Sequence, residues 1–444
     1  MLSSPLFKGT IILTLASVFS RLLGLGNRML LARLIGAEGL GLFQMMAPFY
    51  SLAAVIATLG LPGAVTKAVS DRFAHQDLYG MEQTKNTALS FVSKSALVGA
   101  FLLLFLSYSP LTAYFPDQRI IVPLRLMPLA LVFSAVTSIY KGYFQGQENM
   151  VPTAVSQVGE QICRVGFGLL GVLLFLPYGL EFAVLGVMAG IVVGEFFSLC
   201  TVFFFFRLES KEKPSLRPAR HPRFSWQVKK ELFALAFPLL IIRLSGSLTF
   251  SLESFLIPAR LQQAGFSAAE ATSQLGNFSG MAVPLLFLPT VVILPLSTAL
   301  VPAVAKSSSL GLKKRVKHLV ILSLVGTFCL GLLTGAVLFL FNEPLLKILY
   351  NDAGASPLLV LLAPTAPFAY IQFALASILH GLGRPGIALA FDMLGTSLCL
   401  LVIYFLTAAP AYGIRGAAIG YNIGFIVTAL LGLAYIYRKV IRAN

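Results

Sequence analysis

Uncharged apolar runs, each about as long as a bilayer is thick, recur along this whole chain, and they limit its folds more than any other feature. A spanning helix needs ~20 predominantly apolar residues, and such runs occupy most of the 444 residues. Apolar residues make up 57% of the chain and charged residues only 11%, against about 25% charged in an average soluble domain. A water-soluble globule is thereby excluded. Because hydrocarbon offers no partner to backbone N–H and C=O groups, runs of this kind fold as helices that bond within themselves. Windows between polar punctuation place spans near 9–30, 40–62, 87–107, 121–144, 152–177 and 182–206. A second set follows near 232–257, 277–303, 319–341, 356–380, 386–407 and 414–437. The expected fold class is an all-α integral membrane protein of about 12 transmembrane helices.

The most polar segment lies between the two sets. Residues 207–230 carry eight Lys or Arg along with Pro214, Pro218 and Pro222, the composition of a basic linker. The chain divides into an N-terminal six-helix lobe (1–206), this linker (207–230) and a C-terminal six-helix lobe (231–444). Of the 33 Lys and Arg residues, 22 fall on the side of the linker and both termini, 7 on the opposite side, and Arg21, Lys94, Arg164 and Arg243 lie within spans. Cytoplasmic loops carry the excess of positive charge, so the linker and both termini are expected in the cytoplasm. The net charge of +16 is accounted for by this sidedness, without a nucleic-acid partner. Cys163, Cys200, Cys329 and Cys399 each stand alone in an apolar stretch and are expected to be buried thiols. The first apolar run lacks a small-residue cleavage site and is expected to remain as a span.

The halves repeat each other. Ala32-Arg33-Leu34 returns as Ala259-Arg260-Leu261, and Leu40-Gly41-x-Phe43-x-x-Met46-Ala47 as Leu275-Gly276-x-Phe278-x-x-Met281-Ala282. Pro128-x-Ala130, Ala135 and Ser138-Ile139-x-x-Gly142 return as Pro367-x-Ala369, Ala374 and Ser377-Ile378-x-x-Gly381. The three offsets, 227, 235 and 239, rise in chain order as small loop insertions require. Repeats of six spans run the same way through the membrane, so the lobes are expected to be related by a pseudo-two-fold axis along the membrane normal. Transporters built on such repeats bind substrate at the repeat interface near the midplane.

A charged side chain at the bilayer centre costs roughly 2.5–3.5 kcal/mol even on insertion scales, and so needs a partner or a watery cavity. In span 1, Ser17, Arg21, Gly24 and Arg28 share one helical face. Span 7 repeats the pattern with Arg243, Gly246, Ser247 and Ser254. Arg21 and Arg243 sit about 18 Å along their spans at 1.5 Å per residue, too deep to snorkel easily, whereas Arg33 is close enough to the headgroups to do so. Guanidinium groups in a low-dielectric cleft suit phosphate or carboxylate. Arg21, Arg28, Arg243, Ser17 and Ser247 are therefore the candidate substrate-binding residues, for an amphipathic anion. Glu160 and Arg164, four apart, favour an ion pair along one helix. Glu160, Glu253 and Asp392 are the candidates for ion coupling, and nothing in the sequence chooses among them. Glu195, Lys94 and Asp392 are each isolated in sequence and are expected to have structural partners on neighbouring helices. Pro284, Pro289, Pro295 and Pro302 crowd span 8 and make it a kink or hinge.

Nothing suggests an enzyme. There is no phosphate loop of the Gly-x-x-x-x-Gly-Lys-Ser/Thr type, so no ATP use is expected. His75, His221, His318 and His380 are scattered, and no metal site, catalytic triad or cofactor is expected beyond coupling to sodium, protons or the membrane potential.

The stretch Lys8 to Ser70, including KGTIILTLASVFSRLLGLGNRMLLARLIGAEGLGLFQMMAPFYSL and GLPGAVTKAVS, resembles the oligosaccharide flippases related to stage V sporulation protein B. So do YKGYFQGQENMVPTAVSQVGEQICR (Tyr140–Arg164) and ESFLIPARLQQAG (Glu253–Gly265). This resemblance implies the superfamily that also holds lipid II flippases and multidrug and toxin extrusion exporters: two six-helix lobes, alternating access and no ATP site. It further implies a bacterial plasma-membrane protein that carries an undecaprenyl-linked saccharide, such as a cell-wall precursor, to the outer leaflet. Ser20-Arg21-Leu22-Leu23-Gly24 matches the Ser-Arg-x-x-Gly pattern that supplies a cavity arginine in lipid II flippases. Asn27 stands where those flippases carry the next arginine, and Arg28 follows one residue later. Relatives of the sporulation protein usually have two further C-terminal spans, so twelve spans also suit a cation-coupled multidrug exporter.

Overall fold

The computed structural model describes residues 5–212 and 226–442, and among these every regular element is a helix. Among the described residues ten helices are long and apolar enough to cross a membrane, and the bent pair Gln118–Leu124 and Met127–Gly146, at 49°, adds another. The first of the ten, Ile11–Ala74, has 64 residues, which at 1.5 Å each would reach roughly three hydrocarbon thicknesses. It breaks at Gly36 (φ 65°, ψ −173°), a left-handed φ that glycine adopts without steric cost. The protein is an all-α membrane protein, and dividing this helix there makes twelve candidate spans among the described residues. In order these are α1 (5–35), α2 (37–58, continued by Leu61–Ala74), α3 (Leu78–Tyr108), α4 (Met127–Gly146), α5 (Val151–Phe175) and α6 (Leu180–Glu212). Then come α7 (Trp226–Gln263), α8 (Thr290–Ser309), α9 (Lys313–Leu340), α10 (Ala366–Gly381), α11 (Pro385–Leu406) and α12 (Ile414–Ile436). Most of the expected basic linker, residues 213–225, lies outside the described residues.

The helices form two compact units. Unit 1 holds residues up to 35 and 42–251; unit 2 holds 36–41 and 252–444. In lipid, helices gain little from the hydrophobic effect and associate where small residues let backbones approach. Unit 1 uses this device between α5 and α6. A Cβ on Gly171 would lie 2.8 Å from the Gly186 backbone, and one on Gly194 2.7 Å from the Glu160 carbonyl. Unit 2 repeats it between α11 and α12, where a Cβ on Gly424 would lie 2.9 Å from the Gly395 carbonyl and one on Gly420 2.9 Å from that of Cys399. The start of α7 is held within unit 1 by a two-pronged ion pair: Arg72 Nη1 and Nη2 donate to Glu231 Oε1 (3.0 Å) and Oε2 (2.6 Å).

In unit 2 the segment leading into α8 is interrupted. A helix over Ala268–Leu275 begins with a capping box between Ser267 and Glu270, whose hydrogen bonds from Ser267 hold the Glu270 carboxyl below its ordinary value. A π-helical stretch, Gly276–Ala282, and a short helix, Val283–Phe287, follow. Pro289 marks the last break, and Pro295 and Pro302 lie inside α8. The expected interruption is present, at positions where a proline removes a backbone donor. Gly41 and Gly276, matched by the internal repeat, each lie against the other's helix: a Cβ on Gly41 would strike the Thr272 carbonyl, and one on Gly276 that of Ala37. One expectation is corrected. Of the four cysteines only Cys399 is buried, while Cys200 and Cys329 are exposed. In a membrane helix an apolar sequence context fits the outer face as well as the core, so apolar neighbours do not imply protein burial.

Candidate functional site

Each unit contains a polar cavity. That of unit 1 encloses about 530 Å³ and is lined largely by one face of α2 and one of α4. On α2 the lining residues Ser51, Val55, Thr58, Pro62 and Thr66 follow helical spacing. On α4 they are Ser134, Ser138, Lys141 and Gln145. Arg243 of α7 completes the wall. Several of the hydroxyls donate to their own helices: Thr58 to Ala54 O (2.7 Å), Thr66 to Pro62 O (3.0 Å) and Ser138 to Ala135 O (2.6 Å). Each keeps acceptor capacity toward the cavity. Ser51 and Ser247 share a hydrogen bond of 2.8 Å.

Behind this wall lies a chain of charges. Lys141 Nζ stands 3.2 Å from Glu160 Oε2, Arg164 Nη2 2.7 Å from Glu160 Oε1 and 3.3 Å from Glu195 Oε1. The Tyr50 hydroxyl donates to Glu195 at 3.3 Å. Two carboxylates and two cations balance, so each can remain inside the lobe. Arg243 stands outside this balance: it is exposed and has no carboxylate partner among the described residues. The unit 1 cavity thus carries one uncompensated positive charge amid hydroxyls, an arrangement that accepts an anion bearing hydrogen-bonding groups.

The cavity of unit 2 has the opposite character. It encloses about 170 Å³, and its lining includes Glu253, Asp392, Gln372, Thr396, Tyr421 and Thr428 but no Lys or Arg. Tyr421 donates to Glu253 at 2.8 Å, and Gln372 to Asp392 at 2.8 Å. Among the described residues the donors to these two carboxylates are neutral, an arrangement whose chemistry suits a small cation or a proton.

The structure sorts the sequence candidates into separate places. Arg243 lines the unit 1 cavity and Ser247 adjoins it through Ser51. Ser17, Arg21 and Arg28 do not line it. Ser17 donates to Gln157 at 3.4 Å, and a Cβ on Gly24 would lie 3.3 Å from Gln161, so that stretch of α1 meets α5, with Arg21 exposed and Arg28 half-buried. Glu253 and Asp392 come together in unit 2, whereas Glu160 forms the ion pair with Arg164 that its spacing favours. Glu195 has Arg164 as its partner on a neighbouring helix. Lys141 and Tyr50 were missed. Lys141 resembles a loop-end lysine in sequence, yet Ser134, Ser138, Lys141 and Gln145 recur at helical spacing through an apolar segment, a polar stripe that would have revealed it.

With these geometries in place, comparison with known proteins narrows the reading. Residues 6–308 match the family described as polysaccharide biosynthesis protein, and residues 279–406 match MatE. Over 441 residues the chain is 33% identical to stage V sporulation protein B of Bacillus subtilis, covering 98% of this chain and 84% of that one. It is 26% identical to the lipid II flippase MurJ of the same organism, covering 98% and 83%. Among solved structures, an inward-facing multidrug resistance MATE family transporter of the MOP superfamily superposes with a TM-score of 0.74 at 15% identity, covering 95% of this chain and 94% of that one. At that identity the likeness concerns the fold.

Proposed function

The chain belongs to the polysaccharide biosynthesis protein family of membrane transporters, and from that premise we propose that it is an alternating-access flippase for an anionic lipid-linked oligosaccharide. The cargo moves from the cytoplasmic to the outer leaflet of the bacterial plasma membrane, and both termini lie in the cytoplasm. One observation carries this reading: the unit 1 cavity, whose hydroxyls surround the uncompensated Arg243. An undecaprenyl pyrophosphate or an acidic sugar supplies the complementary charge, and the hydroxyl-lined α2 and α4 faces suit saccharide hydroxyls. Since a sporulation protein and a lipid II flippase are among the relatives, a cell-wall (peptidoglycan) precursor is the first saccharide to test. Arg21 and Arg28 of α1 are assigned to later contacts with the same anion. Glu253 and Asp392 in the unit 2 cavity are assigned to sodium or proton coupling. Glu160, held by Lys141 and Arg164, keeps the unit 1 wall in place.

Arg243→Ala tests the reading. A charge-assisted hydrogen bond contributes about 1.5–3 kcal/mol, so flipping of a lipid-linked oligosaccharide in proteoliposomes should fall roughly 10- to 100-fold, with Arg243→Lys retaining part of it. An undiminished rate in Arg243→Ala would refute an anion site at this cavity. The acidic unit 2 cavity favours a second reading, a cation-coupled exporter of amphipathic drugs. That reading gains if vesicles accumulate a cationic dye in response to a sodium or proton gradient while lipid-linked saccharides stay on one leaflet.

A further inference from the structure

A third cavity, of about 360 Å³, lies in unit 2 and shares no residue with either cavity described above. It is built where three connections meet: the one after α7, the one before α10 and the one between α11 and α12. Gln274 and Asn277 line it, flanked by Phe266, Tyr412 and Arg415. The Gln274 Oε1 and Asn277 Oδ1 atoms are shielded from solvent and have no hydrogen-bond partner among the described residues. Buried polar atoms are ordinarily satisfied, and here two unsatisfied ones belong to residues of one cavity wall. The internal repeat sharpens the point. At its offset, Asn277 corresponds to Leu42 and Gln274 to Gly39, and Leu42 is fully buried. The same helical position therefore packs without an amide in the other half. Asn277 also sits in the π-helical stretch Gly276–Ala282, and such stretches are frequent at functional sites.

We infer that this cavity is a saccharide-binding site, separate from the transport cavities, that takes a sugar unit carrying an acidic group. Its chemistry matches that ligand. The amide side chains of Gln274 and Asn277 bring to its wall hydrogen-bonding groups of the kind that pair with sugar hydroxyls. Tyr412, 49% exposed, and the half-buried Phe266 present ring surface to the C–H face of a sugar ring. Arg415, exposed and without an ion-pair partner among the described residues, supplies the charge for a carboxylate or phosphate. The volume lies within the range of small-ligand sites, ~300–1,000 Å³. Gly413, at φ 50°, lets the backbone pass close to the Phe266 ring, where a Cβ would stand 3.3 Å from the ring edge.

The experiment uses the full chain in nanodiscs with two probes, a galacturonate trisaccharide and a neutral galactose trisaccharide, followed by saturation-transfer NMR and calorimetry. The wild type should bind the acidic probe more tightly than the neutral one. Asn277→Leu should weaken both by about tenfold or more, as loss of a ligand hydrogen bond implies, with the unfolding temperature unchanged or raised. Arg415→Gln should weaken only the acidic probe, and both effects should persist in an Arg243→Ala background, in which the anion site proposed for unit 1 is lost. The proposal is overturned if neither probe binds the wild type at millimolar concentration, or if Asn277→Leu and Arg415→Gln bind like the wild type. It is likewise overturned if Arg243→Ala abolishes binding, which would place the probe in unit 1, or if Asn277→Leu loses stability, which would assign the amide to folding.

Discussion

The two units solve the same packing problem with similar parts and then load those parts with opposite chemistry. In unit 1, α5 and α6 cross through Gly171, Gly186 and Gly194; in unit 2, α11 and α12 cross through Gly395, Gly420 and Gly424. On the first crossing sit Glu160, Arg164 and Glu195, joined by Lys141, so that every carboxylate faces a cation. On the second sit Asp392 and Tyr421, joined by Glu253 and Gln372, and the carboxylates meet only neutral donors. The difference teaches that the repeat preserves backbone approach while leaving polar content free to diverge. One unit pairs its charges internally and leaves an arginine over; in the other the carboxylates meet neutral donors among the described residues.

This contrast can be broken by experiment, and the largest effect belongs to Arg164. Its removal strands Glu195 and leaves Glu160 to Lys141 alone, and breaking a buried ion pair on one side costs about 3–5 kcal/mol. Arg164→Ala should therefore lower the unfolding midpoint in detergent steeply. A change under about 1 kcal/mol would show instead that the network is not what holds α5, α6 and α4 together. Next in size is a single change made in both units. Glu160→Gln leaves Lys141 and Arg164 without their shared charge and should cost about 1–3 kcal/mol. Glu253→Gln keeps an acceptor for the Tyr421 hydroxyl and should leave the midpoint nearly unmoved, yet it should remove the response of transport to a sodium or proton gradient. Equal effects from the two changes would erase the distinction between the units. The smallest effect is expected from Ser247→Ala. It removes the bond to Ser51, and hydrogen bonds between membrane helices average about 0.6 kcal/mol. A midpoint shift well above that would point to a larger role for this contact in the unit 1 cavity.

Much of the architecture was legible in the sequence because bilayer thickness acts on every apolar run alike. Twelve spans, the interruption ahead of α8 and the Glu160–Arg164 pair all follow from local spacing, since a helix places residues four apart on one face. The repeat was legible too, and the Gly41 and Gly276 it matches are the ones that pack against each other. The site was only partly legible. Arg243 stood out as a deep cation, but on the same reasoning so did Arg21, which the structure places away from the unit 1 cavity. The burial of the cysteines was misjudged because lipid, unlike water, leaves an apolar side chain no reason to turn inward.

What the sequence determined by itself is whatever depends on residues close along the chain: helix, span and the pairs within one helix. Tertiary structure alone decided which polar groups meet across helices. Lys141 reaches Glu160 over 19 positions, Arg164 reaches Glu195 over 31, Ser51 reaches Ser247 over 196, and Tyr421 reaches Glu253 over 168. No periodicity encodes such contacts. They are fixed by where glycines allow two backbones to touch, because in a medium that rewards no particular apolar face, close approach and the partnering of buried polar groups are what choose one arrangement of helices over another.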